Sequence, residues 1–416
     1  MMRILVIDVN FDQKNITYRQ FYNHLSLGFD VFFWGPGYVT RDELSKGIRS
    51  FVNENGPFDA YFLGGYFVDS AQNNQDMTAD AYMIHRCNIP YYNVNDAYTY
   101  CQKIIDELVH EINGIKVFIY YEDTMSMPNG AYRICEEFIR HGFYILSWPR
   151  ESMRTYQTKE KKQFKYLTDN AVKLCEKYKN RYIPINMLAM TQNEIFRIAF
   201  DQKDYEWCVP GNRDLRYYPE REKLYRLIEK EQYKVWDYDP YQKVQPTTIE
   251  KKQLNWYRFR NPTEKFLSGI YGKTSLISST IDIGYIGAAR ELYLESIRRT
   301  KFIFADGSIP QIVLRKHLEA CACGSVLVTT DVQGLAEMGF VDGVNCRVVH
   351  KESMNDDIRY ICNDTAAAKI AKNGQEFVMK KHMFANRIED LNKTIAAILE
   401  NHYHGAHYEN GDYIIE

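Results

Sequence analysis

The residues from Lys301 to Gly324 combine charged side chains with alternating apolar and turn-forming stretches. The segment KFIFADGSIPQIVLRKHLEACACG reads as a buried strand, a turn with a proline, and a helix that carries Arg315, Lys316 and Glu319. A second apolar stretch, SVLVTTD, follows directly. Strand, loop, helix and strand in this order predict a βαβ unit, whose loop and helix N-terminus lie at one edge of a parallel sheet.

Two kinds of ligand group could be held at that edge. The first backbone N–H groups of a helix have no partner within the helix, so its N-terminus can bind an anion. Glu319, further along the same helix, is placed to accept hydrogen bonds from the hydroxyls of a sugar. Gly307 and Ser308 form the turn through which backbone could approach such a ligand closely. An anion and a sugar held together indicate a nucleotide.

The rest of the chain supplies strands and helices in alternation. In the first half RILVID, DVFFWG, DAYFLGG, NIPYYNV, KVFIYYED and FYILSW read as strands, with helical segments between them. Thr40 and Glu43 have the spacing of a capping box and predict the start of one of these helices. A second series begins near Tyr205. This alternation predicts an open parallel sheet, covered by helices, in each half.

The length of 416 residues exceeds what one hydrophobic core usually supports, so two domains are expected. We predict an α/β fold of two Rossmann-like domains that face each other across a cleft. The N-terminal domain is placed at residues 1–200 and the nucleotide-binding domain at 201–385. Residues 386–416 are predicted to form a helix and tail that cross back to the N-terminal domain.

Composition excludes several classes of protein. A net charge of −2 gives no basic field for nucleic acid or anionic membrane. The nine cysteines form no CxxC pair, which is typical of reduced thiols in a cytosolic protein. No apolar stretch reaches the length of a membrane span. The three histidines of the HYHGAHY segment could chelate a metal, but a terminal segment is usually mobile, and we predict no metal site there. Taken together, these features predict a soluble, cytoplasmic protein.

Three segments of the second half carry a resemblance to a known family. They are VPGNRDLRYYPEREKLYRLI, RKHLEACACGSVLVTTDVQGLAEMGFVDGVNCRVV and HKESMNDDIRYICNDTAAAKIAKNGQEFVMKKHMFANRIEDL. Together they cover roughly residues 205–395 and resemble the glycosyltransferase domain of CgeB-like spore-maturation proteins and related family-1/4-type enzymes of the GT-B fold. The resemblance implies a nucleotide sugar bound in the C-terminal domain and an acceptor against the N-terminal one.

The resemblance also implies roles for individual residues. Glu319 matches the glutamate that binds the ribose, Lys316 occupies the basic position one turn before it, and Arg213 matches a cation that reaches the diphosphate. Gln311 stands where related enzymes often have a glutamate near the donor sugar, which puts donor choice in doubt. The predicted nucleotide-sugar site is Gly211, Arg213, Gly307, Ser308, Gln311, Lys316 and Glu319.

Catalytic roles are predicted for Arg213, Lys316 and Asp123, the last because it follows a buried strand at its carboxyl end. Asp123 could act on an acceptor hydroxyl, although a turn or helix-capping aspartate is the more ordinary interpretation. Arg216 and Arg221 are weaker candidates for the diphosphate, and Arg315 for the site as a whole.

The function predicted is transfer of a hexose from a UDP- or GDP-sugar to a hydroxyl acceptor, without a required metal or tightly bound cofactor. The resemblance implies that the anomeric configuration is retained. The acceptor stays open among glycan, lipid-linked, protein and nucleic-acid-linked hydroxyls. Two alternatives remain. One is a non-catalytic coat or scaffold protein with the same fold, and the other, which lacks the expected cluster of acid and base residues, is a nucleotide-sugar epimerase.

Overall fold

The fold was analysed in a computed structural model, which describes residues 1–8, 16–35, 38–64, 103–120, 131–149, 174–196, 198–211, 218–236, 293–307 and 311–416. The chain forms two compact units. Unit 1 consists of Met1–Met187, Phe384–Tyr408 and Tyr413–Glu416, and unit 2 of Leu188–Met383 and Glu409–Asp412. The C-terminal segments thus belong to both units.

Unit 1 is built on a six-stranded sheet in which every strand pairing is parallel. Its strands are β1 (Met2–Ile7), β2 (Phe29–Trp34), β3 (Ala60–Gly64), β4 (Ile115–Ile119), β5 (Tyr144–Ser147) and β6 (Tyr182–Pro184), in the order β2-β1-β3-β4-β5-β6. The predicted strands RILVID, DVFFWG, DAYFLGG, KVFIYYED and FYILSW are confirmed. The predicted strand NIPYYNV lies outside the described residues, and β6 was not predicted.

Unit 2 contains a five-stranded sheet that is also parallel throughout. Its strands are β7 (Tyr205–Cys208), β8 (Val235–Trp236), β9 (Thr300–Ala305), β10 (Val326–Thr329) and β11 (Arg347–Val348), in the order β11-β10-β9-β7-β8. A short hairpin of β12 (Ala406–Glu409) and β13 (Asp412–Ile415) closes the chain. Read from the β8 edge, the order β8-β7-β9-β10-β11 in unit 2 corresponds to β2-β1-β3-β4-β5 in unit 1.

Helices connect the strands and supply the outer layers. In chain order they are α1 (Ile16–His24), α2 (Arg41–Asn55), α3 (Ala131–Arg140), α4 (Pro219–Lys230), α5 (Arg315–Ala322), α6 (Met354–Cys362), α7 (Ala367–Lys381) and α8 (Phe384–Leu399). Residues 103–110 and 293–298 are helical as well. Within the described part of the chain, no helix has both the length and the apolar character needed to cross a bilayer.

The start of α2 confirms the predicted capping box. The Thr40 hydroxyl accepts a hydrogen bond from the Glu43 backbone N–H at 3.3 Å, and the Glu43 carboxylate accepts one from the Thr40 N–H at 2.7 Å. These bonds to Thr40 lower the pKa of Glu43. Two backbone donors that the helix itself leaves unpaired are thereby satisfied.

The β1–β3 junction carries a buried carboxylate in unit 1. Asp8 directly follows β1, is 1% exposed, and accepts a hydrogen bond from the Tyr22 hydroxyl at 2.7 Å. Gly64, the last residue of the adjacent β3, packs so closely that a Cβ placed on it would lie 1.9 Å from Asp8 Oδ2. The absence of a side chain at position 64 is therefore a condition for burying this carboxylate.

Replacement of Gly64 by alanine is expected to destabilise unit 1 by about 1–3 kcal/mol, because the new methyl group overpacks against the Asp8 carboxylate. The measurement is urea unfolding of G64A, D8A and the double variant. In the D8A background the cost of G64A should fall to a few tenths of a kcal/mol. Equal costs in both backgrounds would contradict the proposed steric cause.

Candidate functional site

The carboxyl ends of β7 and β9 in unit 2 form the candidate site. These strands are neighbours in the sheet, yet the chain runs outward from them in opposite directions, to β8 on one side and to β10 on the other. In open parallel sheets, ligands bind at such a reversal of strand order, outside the carboxyl ends. Val209, Pro210 and Gly211 follow β7, whereas Asp306 and Gly307 follow β9.

A buried ion pair joins the helix α4 to the end of β9. Arg221 Nη2 lies 2.6 Å from Asp306 Oδ1, and the side chains of both residues are only 3% exposed. Arg221 is located in the first turn of α4, which begins at Pro219, and its guanidinium lies 4.2 Å from the centre of the Tyr218 ring. Because neither charge could be buried alone at acceptable cost, the pair holds α4 to the end of β9.

Lys316 provides a second cation at the same place. Its Nζ donates a hydrogen bond to the Pro210 carbonyl oxygen at 2.9 Å. Gly211 has a φ of +105°, and a Cβ placed there would lie 2.4 Å from Lys316 Nζ and 3.0 Å from Arg221 Nη1. The two cationic groups therefore converge beside Gly211, a position whose backbone and surroundings both favour glycine.

The neighbouring charges of this cluster act on the pKa of Lys316. Burial, followed by repulsion from Arg221, lowers the pKa of Lys316 to about 8, while Asp306 and Glu319 act in the opposite direction. Arg221 and Lys316 thus repel each other, while the carboxylates of Asp306 and Glu319 favour the charged form of Lys316. An anionic ligand would relieve their mutual repulsion, so the arrangement suits a phosphate group.

Glu319 lies in a network of charged and polar side chains. Its carboxylate accepts hydrogen bonds from the Tyr293 hydroxyl and, at 2.9 Å, from Arg315 Nε. Arg315 also pairs with Glu194, in the segment that precedes β7. Glu319 is 1% exposed. Arg315 is thus brought to Glu319 as an ion-pair partner, and a ribose could contact this carboxylate only after a neighbouring side chain moved.

The start of α5 is fixed by a histidine that was not predicted. His317 Nδ1 accepts a hydrogen bond from the Leu314 backbone N–H at 3.0 Å, and its Nε2 donates to the Thr329 hydroxyl at 3.1 Å. Burial lowers the pKa of His317 to about 4. The ring is therefore neutral at pH 7, in the tautomer with a proton on Nε2, and it ties α5 to the end of β10.

The loop after β9 is held against the loop after β10. Gln311 has a φ of +52°, its Nε2 donates to the Asp306 carbonyl oxygen at 3.2 Å, and its own carbonyl accepts from the Gln333 N–H at 2.9 Å. A Cβ on Gly307 would lie 2.5 Å from Val332 Cγ1. Gln311 and Gly307 therefore lie at the predicted edge, in a closely packed pair of loops.

The structure brings together five of the predicted site residues at this edge, which are Gly211, Gly307, Gln311, Lys316 and Glu319. Asp123, Arg213, Arg216 and Ser308 lie outside the described residues. Sequence reasoning did not single out Asp306 or Tyr293, and it gave Arg221 only as a weaker candidate for the diphosphate. The position of Asp306 directly after an apolar strand was a usable signal, since carboxyl ends of parallel strands form sites. Tyr293 had no such signal.

One family model matches a part of the chain that lies mostly in unit 2. Residues 286–393 match a family model described as glycosyl transferase-like. This span is less than half of the chain, and it contains the loop after β9 together with α5 and β10. No curated protein matches the chain.

Several solved structures are similar to the whole chain. Sucrose-phosphate synthase from Thermosynechococcus elongatus shares 12% identity over 96% of this chain and 100% of that chain, with a TM-score of 0.50. Anabaena HepE, solved in complex with UDP and glucose, shares 11% identity over 95% and 100%, with a TM-score of 0.44. Staphylococcus aureus MnaA, in a co-structure with UDP, shares 10% identity over 96% and 97%, with a TM-score of 0.40.

The likeness to sucrose-phosphate synthase shows the fold. The chain has the α/β GT-B fold of two Rossmann-like domains, as predicted from its sequence. The resemblance to GT-B glycosyltransferases is likewise confirmed. The narrower CgeB-like assignment stays a prediction.

Removal of one partner of the Arg221–Asp306 pair is expected to cost about 3–5 kcal/mol of stability, because the other charge is left buried without its partner. The variants R221M and D306L each test this by urea unfolding. The double variant R221M/D306L should be less destabilised than the sum of the two, since it leaves neither charge behind. Additive effects would contradict the pairing. The exposed pair of Lys372 and Glu376 serves as control, and K372M should change stability little.

Proposed function

We propose that this chain is a glycosyltransferase that moves a sugar from a nucleoside diphosphate donor to a hydroxyl acceptor. The observation that supports it best is the convergence of Lys316 and Arg221 beside Gly211, at the reversal of strand order in unit 2. The match of residues 286–393 to a glycosyl transferase-like family supports the same class of reaction.

The proposed chemistry follows from the charge of the leaving group. Cleavage of the bond between the sugar and the diphosphate leaves an additional negative charge on the phosphate oxygens in the transition state. A guanidinium and an ammonium group fixed before the reaction stabilise that charge without having to reorganise. Arg221 is fixed by Asp306, and Lys316 by the Pro210 carbonyl. We propose that these cations do so without a required metal.

In this proposal Glu319 binds the ribose, as the family resemblance implies. A ribose hydroxyl can donate a hydrogen bond to a carboxylate, as the Tyr293 hydroxyl and Arg315 Nε do here. Because Glu319 is enclosed, the Tyr293 hydroxyl would give way to a ribose hydroxyl of similar chemistry. Arg315 would keep the carboxylate in place during that exchange.

The finer points of the reaction are proposed from the resemblance. They are a UDP- or GDP-hexose as donor, retention of the anomeric configuration, and roles for Arg213 and Ser308 at the phosphates and Asp123 at the acceptor. The acceptor is a hydroxyl of a glycan, a lipid-linked molecule, a protein or a nucleic acid. Loops that choose acceptors vary on a shared scaffold, so the fold does not narrow this choice.

Gln311 favours a second candidate, a non-catalytic protein that binds the nucleotide sugar without transferring the sugar. Its side-chain amide donates a hydrogen bond to the Asp306 carbonyl oxygen, which an ionised glutamate could not do. Gln311 thus stabilises the loop after β9 at a position where related enzymes often have a negatively charged glutamate. Donor turnover separates the two functions, since only the enzyme releases free sugar or transfers it.

Binding of UDP or GDP is expected to raise the melting temperature of the wild-type protein, because a ligand that binds only the folded state stabilises it. The stabilisation should be largely lost in K316M and retained in the control K372M, whose lysine lies on the exposed face of α7. A donor-hydrolysis assay with UDP- and GDP-sugars follows. If neither nucleotide shifts the melting temperature and no donor is turned over, the proposed function is wrong.

The affinity for UDP or GDP is also expected to depend on pH. Lys316 has a pKa of about 8 without ligand, and a bound diphosphate favours its protonated form. Affinity should therefore fall as pH rises through 8, by about tenfold between pH 7 and pH 9. Isothermal titration calorimetry at the two pH values measures this. The loss should be absent in K316M, and a loss of equal size in that variant would assign the pH dependence to another group.

A further inference from the structure

The hydroxyl of Thr330 is buried without a hydrogen bond. Thr330 is 2% exposed, and its Oγ1 has no hydrogen-bond partner in the part of the chain that the structure describes. Transfer of a hydroxyl from water to such a place costs free energy unless a partner is supplied. Valine has nearly the same shape and would avoid that cost. A threonine here therefore points to a partner from outside the chain.

The hydroxyl of the neighbouring Thr329, unlike that of Thr330, both accepts and donates a hydrogen bond. Its Oγ1 accepts a hydrogen bond from His317 Nε2 at 3.1 Å and donates one to the Thr330 carbonyl oxygen at 3.0 Å. Both threonines are buried. The local structure is thus able to satisfy a threonine hydroxyl, and it does so at position 329 but not at position 330.

The position of Thr330 in the sheet relates it to the candidate site. It directly follows β10, whose last residue, Thr329, is paired with Ala305 at the end of β9. Thr330 therefore lies one strand away from Asp306, on the side opposite to β7 and Gly211. Neighbouring strands are about 4.8 Å apart. A group attached to a diphosphate between β7 and β9 would reach this distance.

We propose that the Thr330 hydroxyl binds the sugar of the nucleotide-sugar donor and contributes to the choice of that sugar. This inference rests on the proposed function, because it takes the diphosphate to lie beside Lys316 and Arg221. The sugar is the next group along the donor from the second phosphate, and its hydroxyls can both donate to and accept from threonine. The Thr330 hydroxyl then gains its hydrogen bond only when the donor is bound.

The test compares T330V with T329V. In the absence of ligand, T330V should melt at the same temperature as the wild type or higher, since it removes an unpaired buried hydroxyl. T329V should melt lower, because His317 and the Thr330 carbonyl lose a partner. T330S, which keeps the hydroxyl, is the conservative control for binding.

Binding is measured by calorimetry with UDP and GDP and with UDP-glucose, UDP-N-acetylglucosamine and GDP-mannose. T330V should bind the nucleotide sugar preferred by the wild type about three- to tenfold more weakly, as expected for one hydrogen bond, and bind the free nucleotide unchanged. T330S should restore the affinity for the nucleotide sugar.

Three results would overturn the inference, and they are distinguishable. Unchanged affinity of T330V for the nucleotide sugar removes the role of Thr330 and leaves the proposed function intact. If T330V loses affinity equally for the free nucleotide and for the nucleotide sugar, the Thr330 hydroxyl contacts the nucleotide and not the sugar. A wild type that binds none of the five compounds contradicts the proposed function itself, and the inference with it.

Discussion

The buried ion pair between Arg221 and Asp306 is the interaction on which the site in unit 2 depends. It links the helix after β7 to the end of β9, two segments that lie far apart in the sequence. Breaking it would leave a charge buried in the interior without its partner, and the pair therefore holds α4 to the end of β9. Lys316 and Gly211 are then placed beside Arg221, so that two cationic groups converge at one position.

Both units have a reversal of strand order with a buried carboxylate beside it, but the partners of that carboxylate differ. In each, the first strand is flanked by the second and third, so the chain leaves the pair in opposite directions. At this position unit 1 buries Asp8 beside Gly64, with the Tyr22 hydroxyl on its carboxylate. Unit 2 buries Asp306 beside an arginine instead. The two carboxylates follow different strands of the junction, Asp8 the first strand of its unit and Asp306 the third, and each is buried with a different partner.

Most strands and a helix cap could be predicted from the sequence, because their formation depends on residues that are close to one another along the chain. Apolar runs predicted β1 to β5 and the unit of β9, α5 and β10, and the Thr40–Glu43 spacing predicted a cap. The strand β6 is short and lies in a segment without clear periodicity, so it gave no signal. The partners of the site residues were not predictable, since Tyr293 and Glu194 reach the Glu319 network only through tertiary folding.

The division of the chain has a consequence for its synthesis. The last long helix, α8, packs on α1 of unit 1, where Asn392 donates a hydrogen bond to the Gly28 carbonyl oxygen at 2.8 Å and Ile388 contacts the same glycine. A ribosome makes the N-terminal part of this unit first, and Asn392 of α8 follows Gly28 only 364 residues later. The surface around Gly28 that α8 covers must therefore stay exposed to solvent or to a chaperone until α8 has been made.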